Sequence, residues 1–85
     1  MADFRLIIEN RAQKDIKTAP VSSQYKIVQA ITALSLEPRP RGCAKLKVQS
    51  GYRIRVGDYR ILYTISDSKK IVTIYRVLKR DKAYR

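Results

Sequence analysis

Residues 51–65 of this chain read GYRIRVGDYRILYTI, and the pattern of this stretch decides most of the fold. Arginines alternate with apolar and tyrosine residues on both sides of Gly57 and Asp58, which is typical of two half-buried strands. A type II′ turn needs a positive φ at its first loop residue, and Gly57 can supply it. The stretch therefore predicts a β-hairpin with a two-residue loop.

The two-residue loop fixes which residues face each other across the hairpin. Arg55 then lies opposite Arg60, and Arg53 lies opposite Leu62. One face carries the residues expected in the core: Tyr52, Ile54, Val56, Tyr59, Ile61, Tyr63 and Ile65. The other face carries the arginines, so the hairpin predicts a sheet with one apolar face and one basic face.

A further strand, Ile71 to Leu78, is predicted after a polar turn at residues 66–70. Continuing the same register across that turn places Arg76 beside Arg60 on the basic face. The same alternation puts four more residues on that face: Val72, Ile74, Leu78 and Arg80.

The N-terminal half predicts one strand at residues 4–9 and two helices. Asn10 is a candidate N-cap for a short helix over residues 11–18, and Ser22 or Ser23 for a longer one from Val21 to Leu36. The apolar stripe of the longer helix is formed by Ile27, Ala30, Ile31 and Leu34. The predicted fold class is α+β, as a single domain over residues 1–85 with the order β-α-α-β-β-β. Its antiparallel meander would carry both helices on one face and the basic surface on the other.

Composition narrows the function. The 85 residues include 19 Lys and Arg against 7 Asp and Glu, a net charge of +12 that indicates a polyanionic partner. Residues 43–85 hold 12 of the basic residues and 3 of the acidic ones, so this half is expected to carry the binding surface. With no His and one Cys, a His-based catalytic triad and a zinc site with His ligands are excluded. Neither a signal peptide nor an apolar membrane span is evident, and we expect a reducing cytosol.

The C-terminal half resembles the RelE/ParE superfamily of toxins from type II toxin–antitoxin systems. The resemblance lies in three segments: the Lys45-Leu46-Lys47 tripeptide, the hairpin at residues 51–63, and the spacing of Arg80 and Tyr84 after the last strand. It covers residues 45–84. The N-terminal strand and helices fit the layout of that family without a distinctive motif.

The resemblance to the RelE branch implies a ribosome-dependent endoribonuclease that cuts mRNA in the A site of the 30S subunit. The ribose 2′-OH would attack the adjacent phosphate, and no metal or cofactor would be needed. The catalytic residues that it implies are Arg55, Arg60, Arg80 and Tyr84. Substrate-binding residues are expected at Arg53, Lys45, Lys47 and Arg76, and an acidic antitoxin is the expected protein partner.

Three other interpretations remain open at the level of sequence. A ParE-like toxin would inhibit DNA gyrase by binding protein, and a non-catalytic domain would bind RNA or ribosomes without cutting. The arginines could also form a solvated face with no ligand. The general base is open as well, since arginine does not readily lose a proton and Tyr84 is the remaining candidate.

Overall fold

A computed structural model gives the structure of the protein and describes residues 3–46 and 51–79. The elements are β1 (Arg5–Ile8), α1 (Asn10–Lys17), α2 (Val21–Ala33), β2 (Ala44–Lys45), β3 (Gly51–Val56), β4 (Tyr59–Ser66) and β5 (Ile71–Lys79). The strands form one sheet in the order β1-β5-β4-β3-β2. The α+β class with two helices is thereby confirmed.

The sheet is mixed, whereas the sequence predicted an antiparallel meander. β1 runs parallel to β5, and all other neighbours are antiparallel. The two helices connect β1 at one edge of the sheet to β2 at the opposite edge. The two-residue strand β2, which no sequence pattern indicated, lies at that edge.

The β3–β4 hairpin has the predicted register, including Arg55 opposite Arg60 and Arg53 opposite Leu62. Gly57 has a φ of 58°, as the first loop residue of a type II′ turn requires. The predicted apolar face is also confirmed: Ile61 and Tyr63 are fully buried, and Ile54 is 8% exposed. The loop length and the alternation of residue types were therefore enough to position this hairpin.

Helix α2 supplies the other half of the core through the predicted stripe. Ile27, Ile31 and Leu34 are at most 2% exposed and pack with the apolar face of the sheet. The predicted helix caps were wrong. The N-cap residues are Glu9 for α1 and Pro20 for α2, and neither makes a side-chain cap hydrogen bond. Helix α2 ends at Ala33 rather than at the predicted Leu36.

A β-bulge in β5 changes the predicted register of the last strand. Leu62 pairs with Arg76 but Tyr63 pairs with Ile74, so Tyr75 is the extra residue. Arg76 consequently lies opposite Leu62, and Leu78 lies opposite Arg60. Nearer the turn, Ser66 pairs with Ile71, so Val72 and Ile74, predicted on the basic face, lie opposite Ile65 and Tyr63 in the core, where both are fully buried.

The proline-containing loop after α2 is fixed to the far end of the sheet. The Tyr63 hydroxyl donates a hydrogen bond of 2.7 Å to the carbonyl oxygen of Pro38. Arg39 lies over the Tyr52 ring, 5.2 Å from its centroid, and Tyr52 stacks on Tyr63. Across residues 3–46 and 51–79, no helix is long and apolar enough to span a membrane.

Candidate nucleic-acid interface

Three arginines meet on the face of the sheet that points away from the helices. Arg53 and Arg55 are two residues apart on β3, and Arg60 lies directly opposite Arg55 on β4. Like charges opposite each other repel, so this arrangement lowers the stability of the hairpin. The β-hairpin brings these three residues together as the sequence predicted, and we call them the arginine cluster.

The members of the arginine cluster differ in exposure. Arg60 is 2% exposed, although the sequence predicted an open basic face, whereas Arg55 is exposed and Arg53 is half-buried. Arg60 lies on the central strand β4, opposite Arg55 on one side and Leu78 on the other. The cluster therefore has an inner guanidinium and an outer one.

Arg76 is bound by a carboxylate from α1, a contact that the sequence did not reveal. Arg76 Nε and Nη2 donate hydrogen bonds of 2.8 Å and 3.2 Å to the two oxygens of Asp15. The backbone N–H of Val77 donates a third, 2.9 Å long, to Asp15 Oδ2. The predicted substrate-binding Arg76 thus has its charge balanced inside the protein.

The pKa values of this pair follow from the same contacts. Burial acts to raise the pKa of Asp15, but the hydrogen bonds from Arg76 and Val77 outweigh burial and hold that pKa below its usual range. The hydrogen bond to Asp15 raises the pKa of Arg76 in turn. Both groups are therefore charged at neutral pH.

Two tyrosines beside the sheet are unsuited to act as bases. Burial raises the pKa of Tyr75 and, more strongly, that of Tyr63. The Tyr75 hydroxyl lies 3.2 Å from the position that a Cβ on Gly51 would take, so the glycine leaves room for it. Tyr75 was not singled out from the sequence, because its placement depends on the bulge.

Of the other predicted site residues, the structure describes Lys45 alone. Lys45 is exposed and pairs with Tyr52, so it shares the side of the core residues and does not join the arginine cluster. Lys47, Arg80 and Tyr84 lie outside the described residues.

An apolar groove runs beside the outer arginine. β2 pairs only with Tyr52 and Arg53, so the remainder of β3 faces a groove of about 400 Å³ between the strand and α2. Ala30, Ala33, Ile54 and Val56 line it, and Arg41 and Arg55 lie at its rim. Apolar surface flanked by guanidinium groups suits a nucleotide, whose base stacks while its phosphate is bound.

Acidic and sulfur-containing side chains are sparse around this surface. Within the two described ranges, no group of three or more His, Cys, Asp or Glu residues could hold a metal ion. The chemistry that the described residues can offer is the binding of phosphate and the stabilisation of negative charge by guanidinium groups.

Comparisons with known proteins agree with this fold. The model of the ParE toxin family, toxins of type II toxin–antitoxin systems, matches residues 6–84. The protein named toxin RelE1 in Methanocaldococcus jannaschii is 30% identical over 86 residues, covering 96% of each chain.

Two solved toxin–antitoxin complexes contain similar chains. In the RelBE2 complex of Mycobacterium tuberculosis the similar chain is 28% identical, with a TM-score of 0.81 and coverage of 92% of this chain and 99% of that one. In the archaeal RelE–RelB complex of Pyrococcus horikoshii the similar chain is 26% identical, with a TM-score of 0.83. The match covers 92% of this chain and 96% of that one. The fold, the hairpin and these matches together show that the chain belongs to the RelE/ParE superfamily of toxins from type II toxin–antitoxin systems.

Proposed function

We propose that this toxin is a ribosome-dependent endoribonuclease that acts in the cytoplasm and inhibits translation by cutting mRNA in the A site. The 2′-OH of one nucleotide would attack the adjacent phosphate, without a metal ion. The bond to the 5′-oxygen breaks, which leaves a 2′,3′-cyclic phosphate and a 5′-OH. The proton of the 2′-OH passes to a base, and the leaving oxygen takes up a proton.

The arginine cluster is the observation that carries this proposal. Arg55 opposite Arg60 lowers the stability of the hairpin, and a bound phosphate would turn that repulsion into attraction. The charge that develops on the scissile phosphate is what guanidinium groups stabilise. The outer Arg55 would contact the phosphate first, and the inner Arg60 would act from below it.

The remaining residues have supporting roles in this proposal. Arg80 would stabilise the leaving oxygen, and Tyr84 would orient the substrate or share in proton transfer. Substrate contacts are proposed for four residues: Arg53, Lys45, Lys47 and Arg76. Since Asp15 balances the charge of Arg76, we expect Arg76 to contribute less to RNA affinity than Arg53 does.

An acidic antitoxin is the proposed protein partner. The solved relatives in M. tuberculosis and P. horikoshii are toxin–antitoxin complexes, and a net charge of +12 favours an acidic protein. Helix α2 exposes an apolar stripe at Val21, Tyr25 and Val28, which are 80%, 68% and 49% exposed. An amphipathic antitoxin helix would cover this stripe.

The test is primer extension on mRNA in programmed ribosomes, with wild type, Arg60→Ala and Arg55→Ala. Arg5→Ala is a matched control, because Arg5 is an exposed strand arginine at the other edge of the sheet. We expect cleavage within the A-site codon for wild type and Arg5→Ala, and strongly reduced cleavage for the two cluster variants. Cleavage of equal rate in all four proteins would contradict the proposed site.

Inhibition of DNA gyrase is the second candidate, because the matching family model is that of the ParE toxins. A gyrase inhibitor binds protein and has no need of the arginine cluster. A supercoiling assay separates the two candidates: inhibition of gyrase by wild type and Arg60→Ala alike, without RNA cleavage, would favour the ParE-like function.

A further inference from the structure

Strand β5 loses its strand neighbour on one side halfway along its length. β1 pairs with β5 only from Ile71 to Ile74, and the N–H of Glu9 makes the next backbone hydrogen bond, 3.0 Å long, to the Ile74 oxygen. From Tyr75 to Lys79, β4 continues as the neighbour on one side, while β1 has ended on the other. Unpaired backbone groups at a strand edge need another partner, or the strand frays.

Beyond the end of β1, a carboxylate from α1 accepts a hydrogen bond from the backbone of β5. The chain turns from β1 into α1 after Glu9, which puts the helix beside β5, and Ala12 is fully buried there. Asp15, one turn later, accepts hydrogen bonds from the backbone of Val77 and from the side chain of Arg76. Backbone and side chain of this part of β5 are thus held by one group.

Pairing with β4 and the buried Val77 side chain hold one side of the end of β5, whereas its α1 side is more open. A cavity of about 440 Å³ opens between α1 and residues 76–79, so this side of the strand is not tightly packed. The bulge at Tyr75 comes directly before Arg76, and bulges disrupt the ladder locally. Asp15 therefore holds the strand at the point where the ladder is weakest.

We propose that Asp15 is a positioning residue, which fixes the end of β5 after the bulge and thereby the guanidinium of Arg76. The effect on catalysis rests on the proposed function, whereas the effect on the strand does not. Arg76 and Leu78 flank the inner Arg60 on the neighbouring strand, so a shift of this segment also changes the surroundings of the arginine cluster.

The charge pattern of α1 supports a specific role for Asp15. It is the one acidic residue of this helix, among the basic residues Arg11, Lys14 and Lys17. The side chains of an exposed surface ion pair can exchange their contact for contacts with water at little cost. Asp15 differs because it also accepts a hydrogen bond from the backbone N–H of Val77. Charge-assisted hydrogen bonds to backbone N–H groups restrict geometry more than a mobile surface pair does.

The experiment compares Asp15→Ala and Asp15→Asn with wild type, and Asp67→Ala is the matched control. Asp67 also accepts two hydrogen bonds from one arginine, Arg39, at the other end of the sheet. The first measurement is amide hydrogen exchange followed by NMR, together with the Nε–H signal of Arg76. The second is single-turnover cleavage in programmed ribosomes, which separates the rate constant at saturation from the affinity for ribosomes.

For Asp15→Ala we expect the Arg76 Nε–H signal to be lost and exchange at Val77 to be accelerated by about tenfold more than exchange at Ile61, which follows the change in global stability alone. Asp15→Asn keeps an acceptor for the Val77 N–H, so its exchange rate lies between those of wild type and Asp15→Ala. The cleavage rate constant falls about tenfold in Asp15→Ala with affinity unchanged, since position rather than binding is lost. Asp67→Ala behaves as wild type in both measurements.

Unchanged exchange at Val77 in Asp15→Ala would overturn the proposal, and so would faster exchange there with a wild-type rate of cleavage. Equal loss of protection at Val77 and Ile61 would also contradict it, because Asp15 would then stabilise the whole fold rather than one segment. If the wild-type protein cleaves no RNA, the proposed function fails, and hydrogen exchange with the Arg76 signal alone decides the role of Asp15.

Discussion

Two arginine–aspartate pairs lie at opposite ends of this sheet and have the same hydrogen-bond lengths, although Arg76 binds through Nε and Nη2 and Arg39 through Nη1 and Nη2. Asp15–Arg76 and Asp67–Arg39 each make one hydrogen bond of 2.8 Å and one of 3.2 Å. Their surroundings differ: the side chains of Arg76 and Asp15 are 28% and 18% exposed, against 42% and 64% for Arg39 and Asp67. The same contact is thus partly desolvated in one place and open to solvent in the other.

The two pairs also differ in what they hold. Asp15 binds a backbone N–H of β5 in addition to Arg76. Arg39 instead donates a hydrogen bond of 3.2 Å to the Tyr52 hydroxyl and stacks on that ring. The first pair therefore fixes a strand next to the arginine cluster, and the second fixes the proline-containing loop. The environment of an ion pair, rather than its distances, decides its effect.

The largest effect on cleavage is expected for Arg55, which we propose binds the substrate rather than stabilises the fold. Arg55→Ala should lower the cleavage rate about a hundredfold, as the loss of one group that stabilises developing charge does elsewhere. Its stability should stay the same or rise, because the repulsion with Arg60 is removed. Single-turnover cleavage and urea unfolding test both parts, and a destabilised Arg55→Ala protein would assign the arginine to the fold.

Removal of the partly buried carboxylate should lower stability most clearly. Asp15→Ala leaves Arg76 and the Val77 N–H without their acceptor, which costs about 2 kcal/mol of the free energy of unfolding. Urea unfolding curves measure the difference. Asp67→Ala, the exposed counterpart, should cost clearly less, and an equal loss in both variants would contradict the distinction between the two pairs.

The pH dependence of stability should separate the pairs in the acid range. The pKa of Asp15 is lowered in the folded protein, so its stabilisation is complete above the pKa of about 3.9 in the unfolded chain and is lost as the pH falls through the lower folded value. Unfolding midpoints between about pH 5 and about pH 2 should therefore fall less steeply in Asp15→Asn than in wild type. Wild-type steepness in that variant would show that Asp15 is not held by Arg76 in solution.

The smallest effect is expected for the exposed Asp67–Arg39 pair, whose contribution to stability should depend on salt concentration. Hydrogen bonds from Arg39 lower the pKa of Asp67, but both side chains remain open to solvent. At about 1 M salt, where the screening length is about 3 Å, the difference in stability between wild type and Asp67→Ala should vanish. The difference between wild type and Asp15→Ala should persist under the same conditions, as thermal unfolding in both salt concentrations would reveal.

The β3–β4 hairpin shows which structural features a local sequence pattern can predict. Gly57 and the alternation around it predicted the register of β3 and β4, the apolar face and the opposed Arg55 and Arg60 correctly, because turn length and residue period act within a few residues. The stripe of α2 was equally clear from its spacing. The resemblance to the RelE/ParE superfamily rested on residues 45–84, which include this hairpin, and was confirmed by the family match.

The errors arose where distant segments meet. Nothing in the sequence marks the pairing of Ser66 with Ile71 or the bulge at Tyr75, so Val72, Ile74 and Arg76 were assigned to the wrong neighbours. Asp15 and Val77 are 62 residues apart in the chain, and nothing in either segment signals their contact. The burial of Arg60 was likewise missed, because the alternation of residues in β4 predicted an open basic face for it.

The sequence by itself thus determined the α+β class, the hairpin with its arginine cluster and the family. These depend on residue period, turn chemistry and charge, which are properties of short segments. Only the tertiary structure decided the parallel pairing of β1 with β5, the bulge, the inner position of Arg60 and the binding of Arg76 by Asp15. These features exist because unpaired backbone groups and buried charges must find partners wherever the chain brings them together.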